Sequence, residues 1–285
     1  MNSTPPVFEQ LQNGQASILV IGCGKMGGAI INGWLQSGIA SDAIHIVDPN
    51  MDSLSSLVNN DGVFAYSSPT ELPAKKFDFV LLALKPQMVE KILPLYRDFI
   101  ASDATLISVA AGITNESLGK LLPDVNAIIR VMPNTPALVQ RGVMVACANN
   151  KVQPEQQQVC ESLFAVLGHF YWVEKESLMD AVTAVSGSGP AYLFLFTECL
   201  IEAGNKAGLP QELAQQLAIN TVAGAAHLVT VNEKDVAGLR RDVTSPNGTT
   251  EAALNVFMEQ HGLNKLVGNA VQAASKRSKE LAELF

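Results

Sequence analysis

The segment Ile18-Leu-Val-Ile-Gly-Cys-Gly-Lys-Met-Gly27 constrains this chain more than any other. A short apolar run leads straight into a GxGxxG turn, and an apolar-patterned stretch, Gly28–Ser37, follows it. That order predicts a buried strand, a tight turn and a helix. Gly22 permits the turn, Gly24 lets a ligand approach the backbone, and Gly27 lets the helix pack closely on the strand. Asp48 stands 21 positions after Gly27, at the end of a second predicted strand. A carboxylate there is placed to hydrogen-bond ribose hydroxyls. A glycine turn alone is weak evidence and can be purely structural. Strand, helix and acid agree here, and they predict a dinucleotide site formed by Ile21, Gly22, Gly24, Lys25, Met26, Gly27, Asp48 and Asn50.

The charge pattern leaves the choice between NAD(H) and NADP(H) open. Asp48 repels a 2′-phosphate, and no Lys or Arg occurs between Lys25 and Lys75 to clamp one. Asn50 and Ser53 nevertheless offer donors to a phosphate, and Lys25 has the reach to meet it.

From Ser17 onward, short apolar runs alternate with amphipathic stretches, the pattern of a parallel sheet with crossover helices. Strands are predicted at Ile18–Ile21, Ile44–Val47, Phe79–Leu84, Thr105–Val109 and Ile128–Met132. A weaker pair, Val143–Ala148 and His169–Val173, flanks the helical stretch Pro154–Leu167 and extends the sheet in this reading. After about Val173 the strand-like runs stop. Long helical patterns follow at Pro190–Ala207, Pro210–Val231, Thr249–Gln260 and Leu263–Leu284, with Gly208-Leu-Pro210 as a stop and restart. Their short connections suggest an antiparallel bundle. The expected fold is α/β: a Rossmann-type doubly wound sheet over 17–173, then an all-helical domain over 174–285 that serves dimerisation and substrate binding.

Hydrophobic content of 48% against 16% charged residues fits a compact chain with a real core. A formal charge of −8 argues against nucleic acid and anionic membrane surfaces as partners. No uninterrupted apolar run approaches the ~18 residues of a spanning helix. Residues 1–16 are polar and lack Lys and Arg, which reads as a disordered extension without a signal-peptide core on a cytoplasmic protein. Cys23, Cys147, Cys160 and Cys199 form no CxxC pair and no cluster with the four His residues, so reduced apolar fillers are expected and no metal.

Two loops after predicted strands and two helix starts carry the remaining candidates. Ala83-Leu84-Lys85-Pro86 and Val109-Ala110-Ala111 follow two strands of the sheet, and ligands of open α/β sheets sit outside the carboxyl ends of strands. A solvated surface lysine is the plain alternative for Lys85. Ser186-Gly-Ser-Gly-Pro-Ala-Tyr192 and Ser245-Pro-Asn-Gly-Thr-Thr250 each open a helix with glycine and hydroxyl residues, as an anion site would. Tight helix packing through small residues is the plain alternative for the first and is compatible with it, and a first turn with no chemical role explains Thr250 in the second equally well. Two such starts downstream of a dinucleotide signature suggest a small carboxylate substrate.

GxGxMG, A-x-K-P, Met132-Pro-Asn-Thr-Pro136, Ser186–Tyr192 and Ser245-Pro-x-Gly-Thr-Thr250 occur in this order in pyrroline-5-carboxylate reductases. The chain resembles that family from about Ile18 to Leu281. The first two motifs are generic to Rossmann enzymes and the last three are specific. The resemblance implies reduction of L-1-pyrroline-5-carboxylate to L-proline by NAD(P)H, in a homodimer that often assembles further. It also implies Thr183, Ser186, Glu233, Ser245, Gly248, Thr249 and Thr250 around the substrate, and Asn134 near the nicotinamide. Within that set Thr250 is the candidate for a hydroxyl at the ring nitrogen. Two departures stand out: Asp48, where many members carry Ser, Thr or Arg, and Asn247, where Gly is usual. This reading has three rivals. A β-hydroxyacid-type dehydrogenase would need a lysine within the long helix, and Pro190–Ala207 has none before Lys206. An imine reductase for another cyclic imino acid and a non-enzymatic NAD(P)H sensor complete the set.

Overall fold

The computed structural model describes residues 6–283, apart from the side chains at 6, 7, 53 and 60. Eight strands form one sheet: β1 (Ile18–Ile21), β2 (Ile44–Val47), β3 (Phe64–Tyr66), β4 (Phe77–Leu82), β5 (Ile100–Ser108), β6 (Ala127–Met132), β7 (Gly142–Ala148) and β8 (Gly168–Trp172). Their order is β3-β2-β1-β4-β5-β6-β7-β8. Pairing is parallel from β3 to β6, β7 runs antiparallel to β6, and β8 is parallel to β7. The strand order reverses direction between β1 and β4, the switch point at which doubly wound sheets bind ligands.

Helices α1 (Pro6–Gln12), α2 (Lys25–Gln36), α3 (Ser55–Asp61), α4 (Pro86–Ile92), α5 (Asn115–Leu121), α6 (Pro154–Ala165) and α7 (Met179–Val182) accompany the sheet. Both faces are covered. Ile18 and Val20 of β1 join Ile30, Trp34 and Phe164 in one apolar cluster, while Leu19 and Ile21 join Val80, Val89 and Leu118 in the other. Side chains alternate across a strand, so a strand buried on both faces must be apolar throughout. All four residues of β1 are buried.

Three differences from the sequence reading are instructive. Residues 6–12 form α1 where a disordered extension is expected, because Phe8 and Leu11 lie one helical turn apart and dock into the core; residues 1–5 of that extension lie outside the described residues. The three-residue strand β3 is too short to show a pattern in sequence. Finally, β4 and β5 end at Leu82 and Ser108, so Ala83 and Val109 already belong to the loops that follow.

Helices α8 (Gly189–Lys206), α9 (Gln211–Val231), α10 (Val236–Asp242), α11 (Thr249–Phe257) and α12 (Leu263–Ala282) complete the chain. Two compact units result. One contains the residues up to Gly187 and those from Ala274 onward; the other is Ser188–Ala273. The dividing point lies beyond Val173 because Met179 packs with Val145 and Cys147 of β7. The end of α12 joins the sheet unit through a Ser278 hydroxyl that donates to Asp180 at 2.7 Å. In the helical unit, Gly204 of α8 lies close against Ala214 of α9.

One continuous helical stretch, Glu176–Lys206, is long and apolar enough by length and composition to cross a membrane, although it contains no uninterrupted apolar run of that length. Apolar side chains are interleaved there with small and polar residues, including the π-helical turn Thr183–Gly187.

Candidate active site

The glycine-rich turn owes its form to the strands beside it. The Gly22 N–H donates to Val47 O at 2.9 Å, and Ala83 N donates to Ile21 O at 2.9 Å. Gly22 has φ +86°, and a Cβ there would sit 2.7 Å from a Leu84 methyl. A side chain is excluded on both counts. At Gly27 a Cβ would approach Gly22 O to 2.9 Å, so α2 packs onto the turn only without one. Gly24 differs: a Cβ there would meet nothing within 4 Å. That open space lies at the N-terminus of α2, a helix with no side-chain cap and no acid in its first turn. The N–H groups and the dipole there favour an anion. The cradle fits a dinucleotide pyrophosphate.

Parallel registration gathers the other candidates at the same edge. Ile21 is level with Val47 and Leu82, and Leu82 is level with Ser108. The loops Gly22–Gly27, Asp48–Asn50, Ala83–Pro86 and Val109–Ala111 therefore all leave the carboxyl ends of neighbouring strands. Lys85 is exposed and stands just ahead of α4, whose first residue is Pro86. Asp48 follows β2, at the outer end of the group. Its carboxylate accepts the Cys23 N–H at 2.7 Å and the Asn50 N–H at 2.8 Å. Burial, and then the Asp48 charge, push the Cys23 thiol up to about 12, which keeps it protonated and unreactive.

Asn134 is buried after β6. Its Oδ1 accepts Val143 N at 2.8 Å, and its Nδ2 donates to the Ser186 carbonyl at 3.2 Å. The side chain thus ties the MPNTP loop to the π-helical turn, a link that no motif in the sequence displays. In the same turn the Thr183 hydroxyl donates to Met179 O at 2.8 Å. Single π turns of this kind occur often at functional sites.

In the helical unit, Ser245, Gly248, Thr249 and Thr250 come together in one turn that opens α11. Gly248 is the N-cap and its N–H donates to Ser245 O at 3.0 Å. Asn247 adopts φ +58°, so it takes the left-handed conformation that glycine would otherwise supply. The Glu251 carboxylate accepts the Asn247 N–H at 2.8 Å and braces this turn. Glu251 escaped the sequence reading, although an acid three residues after an N-cap is a known helix-start signal. Glu233 lies in the exposed connection between α9 and α10.

Of the four cysteines, Cys23, Cys147 and Cys160 are buried and free, as expected of apolar fillers. Cys199 is exposed and lines an apolar groove of about 490 Å³ with Leu195, Phe196, Phe257 and Leu266. No metal-binding cluster of His, Cys, Asp or Glu occurs among the described residues.

Comparison with known proteins finds two family models along the chain. Residues 176–281 match the family described as "Pyrroline-5-carboxylate reductase dimerisation", and residues 17–112 match "NADP oxidoreductase coenzyme F420-dependent". The pyrroline-5-carboxylate reductase of Pseudomonas aeruginosa is 38% identical over 93% of this chain and 97% of its own length. Among solved structures, a pyrroline-5-carboxylate reductase from Coxiella burnetii has a TM-score of 0.86 at 35% identity, covering 94% of this chain and 98% of that one. The Plasmodium falciparum pyrroline carboxylate reductase with NADP bound reaches a TM-score of 0.81 at 32% identity, with the same coverage. With likeness of this extent across both of its units, the chain belongs to the pyrroline-5-carboxylate reductase family.

Proposed function

We propose that this chain reduces L-1-pyrroline-5-carboxylate to L-proline with NAD(P)H, the last step of proline synthesis. The observation that carries the reading is the presence of two helix starts without a side-chain cap in a member of this family, the second with Glu251 in its first turn. One is the open cradle at Gly24, and the other is the turn Ser245–Thr250.

When bound, the nicotinamide supplies the hydride that reduces the C=N carbon. The chain's own residues then have three tasks. The first turn of α2 and the loops Ala83–Pro86 and Val109–Ala111 hold the dinucleotide. The N–H groups of Thr249 and Thr250, with the Ser245 hydroxyl, hold the substrate carboxylate, while the Gly248 N–H closes the turn on Ser245 O. The Thr250 hydroxyl faces the ring nitrogen and orients or relays its proton. Asn134 holds the π-helical turn that carries Thr183 and Ser186, and so acts on the site by positioning.

The segment 174–285 serves as the dimerisation and substrate domain of a homodimer, and dimers assemble further. The apolar surface of the helical unit supports that assembly. The acidic composition and the protonated, buried thiols support work in the cytoplasm on a small molecule, away from nucleic acid and membranes.

The test is pyrroline-5-carboxylate-dependent loss of nicotinamide absorbance with each reduced dinucleotide. Turnover with either one is expected. No turnover from folded, dimeric protein would leave a reductase of another cyclic imino acid or a dinucleotide sensor. Thr250→Ala should lower kcat about 10²-fold with dinucleotide affinity little changed; unaltered kcat would remove Thr250 from the chemistry.

A further inference from the structure

We infer that Asp48 makes this chain prefer NADH, through a carboxylate whose orientation the fold holds at two points. The inference rests on the dinucleotide reading above and decides what that reading leaves open.

Asp48 follows β2 directly, and its own N–H donates to Tyr66 O of β3 at 3.1 Å, which fixes its backbone. Its two oxygens then take one amide each from different loops, Cys23 N at 2.7 Å and Asn50 N at 2.8 Å. An aspartate has only two side-chain torsions, and one bond to each oxygen sets both. Turning the carboxylate away would leave the N–H of Cys23, a buried residue within the glycine turn, without its acceptor.

The charge so fixed is not neutralised. No ion pair among the described residues involves Asp48, and no Lys or Arg occurs from 26 to 74. The Tyr96 hydroxyl registers the charge, being pushed up to about 12 by burial and then by Asp48. Each carboxylate oxygen keeps acceptor capacity beyond the amide it holds. Ribose hydroxyls are donors and satisfy that capacity. A 2′-phosphate ester offers negative charge in place of a donor, and a carboxylate that cannot retreat repels it.

Equilibrium titration of the full chain with NADH and NADPH, followed by nicotinamide fluorescence, tests this without catalysis. NADH should bind at least tenfold more tightly, and the gap should narrow as ionic strength rises. Asp48→Ser should move the ratio of the two Kd values at least tenfold toward NADPH. On the unaltered protein, ADP should compete better than adenosine 2′,5′-bisphosphate, which decides the matter if Asp48→Ser does not fold. Equal or tighter binding of NADPH to the natural chain overturns the inference and leaves the dinucleotide reading standing. Binding of neither overturns both. Equal weakening of both ligands by Asp48→Ser would make Asp48 only a support of the glycine turn and would also overturn it.

Discussion

The two units of this chain treat apolar side chains in opposite ways. In the sheet unit Trp34, Phe77 and Phe164 are almost wholly enclosed. In Ser188–Ala273 the only buried residues are Ala214, Ala218 and Gly238, while Phe194, Leu195 and Leu266 are each about three-fifths exposed. The sequence is comparably apolar in both, so composition does not explain the contrast. Topology does. A sheet sandwiched by helices offers every apolar face a neighbour in the same chain, whereas five helices with no sheet leave most of their faces uncovered. An exposed apolar surface of that extent marks an interface. The dinucleotide half is complete in one copy; the helical half becomes complete with a second.

The contrast can be broken most severely at the helical surface. Leu195→Glu places a charge in the apolar groove beside Phe196 and Leu266. It should abolish the dimer in sedimentation experiments while the sheet unit keeps its far-ultraviolet circular dichroism. A dimer of unchanged strength would show that this face lies outside the interface. The converse probe is Phe164→Ala, which empties part of a filled core and should cost about 3–5 kcal/mol of stability without altering association at low temperature. Loss of the dimer along with that core would tie the two units together more closely than burial implies.

A smaller effect comes from His45. This residue is buried between the rings of Phe64 and Phe77, its Nδ1 meets the Tyr66 hydroxyl at 3.1 Å, and its Nε2 has no partner among the described residues. Burial, and then the Lys75 charge, hold it at about 4, below its ordinary 6.5. Below pH 6.5 the unfolded chain therefore binds a proton that the folded chain refuses. Stability falls as pH drops from 6.5 towards 4 and is unaffected by this group above that window. The loss is on the order of 3 kcal/mol, and His45→Phe should flatten the denaturation profile over the same range. An unchanged slope would assign acid sensitivity to other groups.

The smallest stability effect belongs to Gly24→Ala, the position in the glycine turn where a Cβ meets nothing. The melting temperature should stay the same while dinucleotide affinity falls about tenfold or more. Gly27→Ala, where a Cβ would press on Gly22 O, should instead cost about 1–3 kcal/mol of stability. If both behaved alike, the space at Gly24 would have no ligand to admit.

Periodicity and local chemistry were legible in the sequence. The apolar strands, the GxGxxG turn, the switch from strands to helices and the helix start at Thr249 all depend on neighbours within a few residues, and amino-acid order encodes them directly. Three things were hidden. α1 exists because Phe8 and Leu11 find a core that assembles from distant segments. The Asn134 side chain serves residues nine and 52 positions away, and no local pattern reports such a bond. Asp48 was readable as a charge but not as a charge held by Cys23 and Asn50. The sequence by itself thus determined which elements form and which chemistry they carry. Only the tertiary structure decided which side chains are free to meet a ligand, because that depends on hydrogen bonds and burial between segments remote in the chain.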